Sequence, residues 1–252
     1  MPYEYVFFLG TGHSGSTILS AVLHSHPNIS VSEEWKMAGK LLRRGETVEQ
    51  IQHAMLNPSK GVRRTELLDA LGEPQKNKSE IKILGDKSPW DLVNLWRRFD
   101  GSDIFKELED KLESKVKIII PIRDPYQHLP GYFDSTKHLK NLGSKDEVKR
   151  VFIRLLARAY DAANYAVDHA DCLVVANEDL IQTPVEVVEK IYTFLGVEGS
   201  DELMRKFQQV IYRIPDSKVY DFDVMWRGVL LKDQIEERII DKFKPMERYS
   251  RK

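Results

Sequence analysis

Five short runs rich in Val, Ile, Leu and aromatic residues punctuate the chain, at residues 5–9, 29–32, 81–84, 116–122 and 173–176. They are largely apolar at consecutive rather than alternate positions, the pattern of strands covered on both faces. Between them apolar positions recur at helical spacing, which predicts an α/β fold: a doubly wound parallel sheet flanked by helices on both sides. Residues 17–23 carry an apolar stripe that closes before Pro27 and would dock the first helix on the sheet. Thr183-Pro184 reads as an N-cap followed by proline at the first helical position, opening a helix through Phe194 that stops at Gly196. A last amphipathic pattern covers residues 232–243 and is expected to end at Pro245. Residues 35–80 differ, being helical fragments rich in Lys, Arg, Glu and Gln that break at Gly45, Pro58, Gly61 and Gly72. A segment of that size between the second and third strands falls on the loop side of the sheet, where such folds bind ligands. It predicts a helical insertion that lids the ligand site, with a solvated helical hairpin as the alternative.

Composition narrows this picture without selecting a function. At 252 residues and 42% apolar content the chain can bury a full core, and residues 1–252 read as one domain. Lysine and arginine number 38 against 39 acids, so no global basic field recruits nucleic acid or an anionic membrane, and binding rests on local charge. Cys172 is the only cysteine, which excludes an intramolecular disulfide and a cysteine-built metal cage. Its apolar run, 172–176, makes it a buried inert thiol rather than a nucleophile. His24, His26 and His128 have no metal-ligand spacing and read as structural or surface residues. The first strand begins by Tyr5 and no apolar run approaches membrane-spanning length, so the expected location is the cytoplasm.

The first strand runs straight into candidate chemistry: Phe7-Phe8-Leu9-Gly10-Thr11-Gly12-His13-Ser14-Gly15-Ser16-Thr17. An apolar run that breaks on glycines and passes through small hydroxyl residues into a helix builds a backbone cradle for an anionic group. Gly10 and Gly15 have Walker A spacing, but Ser16-Thr17 stands where that motif has Lys followed by Ser or Thr. Without the lysine, a kinase or NTPase is the less favoured use. Gly10, Gly12 and Gly15 also satisfy G-x-G-x-x-G, with Glu33 and Glu34 near the distance of a ribose-binding acid. That dinucleotide reading leaves Ser16-Thr17 unexplained. It also leaves unexplained a second basic strand end, Val116-Lys117-Ile118-Ile119-Ile120-Pro121-Ile122-Arg123-Asp124-Pro125. Arginine delivered to the rim suits a second, separate phosphate, because its planar fork binds oxygens bidentately. Two anion sites on one sheet imply a ligand phosphorylated at both ends.

With these two elements in this order, the sequence resembles the sulfotransferases that use 3′-phosphoadenosine-5′-phosphosulfate (PAPS). Further matches are Gly85-Asp86-Lys87-Ser88-Pro89, Glu178-Asp179-Leu180 with Pro184 and Phe194-Leu195-Gly196, and Met225-Trp226-Arg227. The resemblance implies a P-loop-like three-layer fold that transfers SO₃ to an acceptor hydroxyl or amine on a small molecule, glycan or peptide. It also implies release of adenosine 3′,5′-bisphosphate (PAP) and no required metal. The loop residues Gly12, His13, Ser14, Gly15, Ser16 and Thr17 would hold the 5′-phosphosulfate, and Arg123 the 3′-phosphate. His13 stands where most of the family has Arg or Lys, and is either a sulfuryl contact or a structural loop residue. Gly131 stands where the family supplies a serine to the 3′-phosphate. Its amide, or Ser135, would have to replace that hydroxyl. In the tyrosylprotein-type branch the second acid of a Glu-Glu pair is the base, which here is Glu34, with Glu33 as the alternative. Lys87 matches the lysine that faces the leaving group's bridging oxygen. Trp226 matches a segment that closes over the nucleotide, or it anchors the last helix. A non-catalytic nucleotide-binding module is the remaining alternative, encouraged by His13 and Gly131.

Overall fold

Five strands, β1 (Glu4–Phe8), β2 (Ile29–Glu33), β3 (Ile83–Lys87), β4 (Val116–Ile122) and β5 (Asp171–Ala176), pair in the order β2-β3-β1-β4-β5. Every pairing among them is parallel. The structure is a computed structural model that describes residues 3–57, 62–71, 77–99, 103–134, 145–211, 225–226, 229–230 and 235–250. The strands read as continuous apolar runs because both faces are covered. Tyr5 and Phe7 of β1 enter one core while Val6 and Phe8 enter the other, and on β4 Ile118, Ile120 and Ile122 join the first while Ile119 joins the second. Each such fully buried large side chain contributes about 1.5–3 kcal/mol.

Helices α1 (Ser16–Ser25), α4 (Val62–Leu71), α10 (Pro184–Leu195) and α11 (Asp201–Ile211) cover the Val6 face through Leu19, Leu68, Ile191 and Phe207. The Phe7 face is covered by α3 (Val48–Leu56), α5 (Pro89–Arg98), α6 (Ile104–Leu112), α8 (Lys145–His169) and α12 (Asp241–Ser250), through Met55, Leu92, Leu108, Ala163 and Met246. From β1 the chain crosses to the edge strand β2 and returns through β3, and after β4 it passes to β5 at the other edge. The loops after the adjacent strands β1 and β4 therefore open on the same crevice, at the carboxyl edge where α/β sheets bind ligands.

Several sequence expectations hold closely. The helix predicted from Thr183-Pro184 is α10, and Gly196 ends it in the left-handed region at φ 71°, where a side chain would be strained. Others shift. β3 starts two residues later than expected and runs on through Gly85, Asp86 and Lys87, with the Asp86 carboxylate buried and hydrogen-bonded to Ser32, Trp35 and Met37. Pro245 does not end the last helix but lies inside α12. A wide π turn, Glu236–Ile240, precedes it and offsets the hydrogen-bond ladder. Buried Phe243 and Met246 on either side of the proline pack the helix onto the core.

Within residues 35–80, a turn of helix α2 (Met37–Gly39) runs into a π turn, Lys40–Arg44, and α3 and α4 follow. Met37, Leu41, Ile51 and Met55 are buried in one core and Leu68 and Leu71 in the other, so much of this segment forms the layers of the fold. Arg43 and Arg44 are exposed. Trp226 lies in a two-residue strand paired antiparallel with Val229–Leu230. Ser135 and Arg227 lie outside the described residues. Among the described residues no helix is long and apolar enough to cross a membrane.

Candidate active site

The loop between β1 and α1 is held from beneath at three successive carbonyls. Ser14 Oγ donates to the Thr11 carbonyl at 2.7 Å, His128 Nε2 to that of Gly12 at 2.6 Å, and Arg123 Nη1 to that of His13 at 3.2 Å. No peptide bond is cis, so each carbonyl and the following N–H point in opposite directions. The amides of Gly12, His13 and Ser14 are thus turned away from these donors, and Gly12 and His13 line a cleft. Left-handed backbone at His13 (φ 61°) and Gly15 (φ 91°) curls the loop into the helix. Helix α1 has no side-chain cap and no acid in its first turn, leaving the positive end of its dipole to the cleft. A side chain at Gly15 would be strained at φ 91°, and its Cβ would meet Asn177 Oδ1 at 2.5 Å, so Asn177 would have to shift.

The cleft has a volume of about 910 Å³, within the usual size for a small-molecule site. Gly12, His13, Gly15, Ser16, Thr17, Arg123, Lys87 and Glu34 all line it. Of the predicted set, Ser14 turns its hydroxyl back onto the loop. Gly131 falls at the seventh position of α7 (Pro125–Asp134), where the helix's own ladder uses the N–H.

Arg123 follows the last residue of β4. Its carbonyl accepts from the Tyr160 hydroxyl at 2.8 Å, and the next amide, Asp124 N–H, donates to Glu178 Oε1 at 3.0 Å. The Asp124 carboxylate caps α7 by accepting from the Tyr126 and Gln127 amides at 2.9 and 3.1 Å, and Pro125 follows as the first helical residue. Arg-Asp-Pro is thus a strand end, a cap and a helix start in sequence. Burial lowers the Arg123 pKa, partly countered by Glu178 and Asp124, and the guanidinium stays cationic. Its Nε is buried and has no hydrogen-bond partner among the described residues, an unmet donor that an anion would satisfy.

The opposite side of the cleft carries the acids. Lys87 Nζ lies 3.1 Å from Glu34 Oε1 and 3.6 Å from Glu33 Oε1. The two carboxylates differ in setting: the Glu34 side chain is 74% exposed, whereas that of Glu33 is 8% exposed and accepts from Ser20 Oγ at 3.4 Å. Glu34 (φ 56°) and Lys36 (φ 57°) both sit in the left-handed region, which is uncommon for residues with a Cβ. Buried Asp86 holds that turn in place, accepting from Ser32 Oγ at 2.9 Å, Trp35 N–H at 3.3 Å and Met37 N–H at 2.9 Å. Burial raises the Asp86 pKa, against the pull of these donors. Among the described residues no group of His, Cys, Asp and Glu forms a metal site.

Sequence reasoning missed Asn177, at the start of the short helix α9 (Asn177–Gln182), along with Trp90, Lys36 and Ile181 on the cleft wall. The one available signal for Asn177 was a polar residue directly after the apolar run 172–176.

No protein-family model matches the chain, and no curated protein sequence does. Among solved structures it is similar to a sulfotransferase from Alicyclobacillus acidocaldarius, with TM-score 0.54, 16% identity, and coverage of 98% of this chain and 95% of that one. The sulfotransferase domain of the Synechococcus PCC 7002 olefin synthase gives a TM-score of 0.52 at 20% identity, covering 96% of this chain and 95% of that one. A Mycobacterium avium sulfotransferase gives 0.53 at 12% identity, covering 94% and 76%. The five-stranded parallel sheet with helices on both faces is therefore the sulfotransferase fold.

Proposed function

We propose that the protein is a PAPS-dependent sulfotransferase that moves SO₃ to an acceptor hydroxyl or amine. The observation that carries this reading is the order of groups across the carboxyl edge of the sheet. Glu34 follows β2, Lys87 ends β3, the anion loop follows β1 and Arg123 follows β4, on strands that are successive neighbours, about 4.8 Å apart. An acceptor oxygen, a sulfuryl group, a leaving 5′-phosphate and a 3′-phosphate would need a base, a cation, a cradle and a second clamp in that same sequence. The loop amides and the start of α1 would take the 5′-phosphosulfate, and Arg123, through its unmet Nε, the 3′-phosphate.

Bound PAPS supplies an activated S–O bond, which breaks as a new one forms to the acceptor oxygen. Glu34, the exposed acid on the cleft, takes the acceptor's proton. Lys87 neutralises charge growing on the leaving phosphate oxygen. Its pairing with both acids has a use here: Glu33 stays as the buried counterion while the ammonium turns from Glu34 to the phosphate, releasing Glu34 to act as a base. His13 lines the loop side and contributes a ring donor to the sulfuryl oxygens. No step calls for a metal.

The test is transfer of labelled sulfonate from PAPS to a panel of hydroxyl and amine acceptors, with PAP released one for one. Transfer to any acceptor supports the reading. PAP binding with no transfer would leave a binding module, and ATP hydrolysis without PAP binding would overturn the reading in favour of an NTPase.

A further inference from the structure

Amides can cradle an anion only if the peptide planes behind them are fixed, because a loop that reorients on binding spends affinity on ordering. Two of the three donors beneath the loop come from a single connection, β4 to α7. Arg123 holds the His13 carbonyl, and His128, in the first turn of α7, holds that of Gly12. We propose that His128 is a positioning residue for the anion loop, a neutral Nε2–H donor seated under Gly12 that fixes the plane carrying the His13 amide into the cleft. The inference rests on reading this loop as an anion site.

The geometry assigns the tautomer. A carbonyl oxygen only accepts, so at 2.6 Å from the Gly12 carbonyl Nε2 must carry the proton. The Thr11 hydroxyl, 3.0 Å from the same nitrogen, takes the second branch of that bond as an acceptor. The ring is 1% exposed, and burial, assisted by nearby Arg123 and His13, lowers its pKa to about 3 despite the Gly12 hydrogen bond. It therefore donates as a neutral group across the physiological range and brings no buried charge that would need a partner. The backbone of His128 is itself bonded to the Asp124 carbonyl at 2.8 Å, one residue beyond Arg123. The two clamps thus share one rigid segment, and the first turn of α7 sets the loop and the arginine together.

His128→Leu removes the donor at similar bulk, and His128→Gln keeps an amide N–H near the position of Nε2. The probes are inorganic sulfate, followed by NMR through the Gly12, His13 and Ser14 amide shifts, and PAP, followed by calorimetry. His128→Leu should bind sulfate and PAP about tenfold more weakly, and His128→Gln should recover most of that loss. A purely structural histidine would lower the melting temperature of the leucine variant and leave its sulfate affinity unchanged. Wild-type affinity in the leucine variant, or equal loss in both variants, overturns the proposal. The sulfate arm decides on His128 even if PAP fails to bind, a result that would count against the function proposed above and not against the loop. Should the leucine variant not fold, imidazole nitrogen shifts of the wild-type protein provide the reading: a neutral Nε2–H ring from pH 5 to 8 supports the proposal, and an Nδ1–H or cationic ring contradicts it.

Discussion

Glu34→Gln should lower kcat for sulfonate transfer by about 10²–10⁴ while PAP binds with unchanged affinity. The substitution keeps the side chain's size and removes the proton acceptor. Stability should hardly move, because the Glu34 side chain is 74% exposed, and an exposed ion pair contributes at most about 1 kcal/mol. Glu33→Gln is the control that separates the two acids. Glu33 is shielded, takes the Ser20 hydroxyl and steadies Lys87, so its loss should disturb Lys87 and weaken stability and turnover together. A Glu34→Gln enzyme that keeps full turnover, beside a Glu33→Gln enzyme that binds PAP normally yet is inactive, would transfer the base role to Glu33. Steady-state kinetics, PAP calorimetry and melting curves on both variants decide this.

Lys87→Met should cost about 10²–10³ in kcat, and it should also destabilise the fold. The lysine side chain is 6% exposed and the Glu33 side chain 8%. Removing the cation strands a shielded carboxylate, a defect worth about 3 kcal/mol or more. The double variant Lys87→Met with Glu33→Gln removes both charges, so its melting temperature should recover toward wild type while kcat stays low. Recovery of stability and activity together would show that Lys87 acts through folding alone and would remove it from the chemistry.

The parts of this site that were legible in the sequence are those set by local rules. Gly10 to Thr17 announces a strand, a cradle and a helix within one stretch, and Arg123-Asp124-Pro125 encodes a strand end, a cap and a helix start. Hydrophobic runs located all five strands of the main sheet, since both faces are buried. What escaped depends on contacts between distant residues. Asp86 sits in β3 yet is polar, and no periodicity reveals a carboxylate whose burial is made possible by amides more than 45 residues earlier in the chain. His128 had no motif spacing and read as structural or surface, because its partners Thr11 and Gly12 lie more than 115 residues away. Residues 35–80 look like a helical insertion by composition, although Ile51, Met55, Leu68 and Leu71 each find a place in the layers around the sheet. Pro245 is a helix breaker by local rules, and packing of Phe243 and Met246 carries the helix past it.

In the proposed function Arg123 and the glycine loop grip opposite ends of one bis-phosphorylated adenosine. Calorimetric titration of PAP and adenosine 5′-phosphate into wild type and Arg123→Ala tests it most directly. Wild type should prefer PAP by about 10–150-fold, the worth of a charge-assisted bond to the 3′-phosphate, and Arg123→Ala should bind the two nucleotides alike. Equal affinity in the wild type, or a preference that survives loss of Arg123, would contradict that reading.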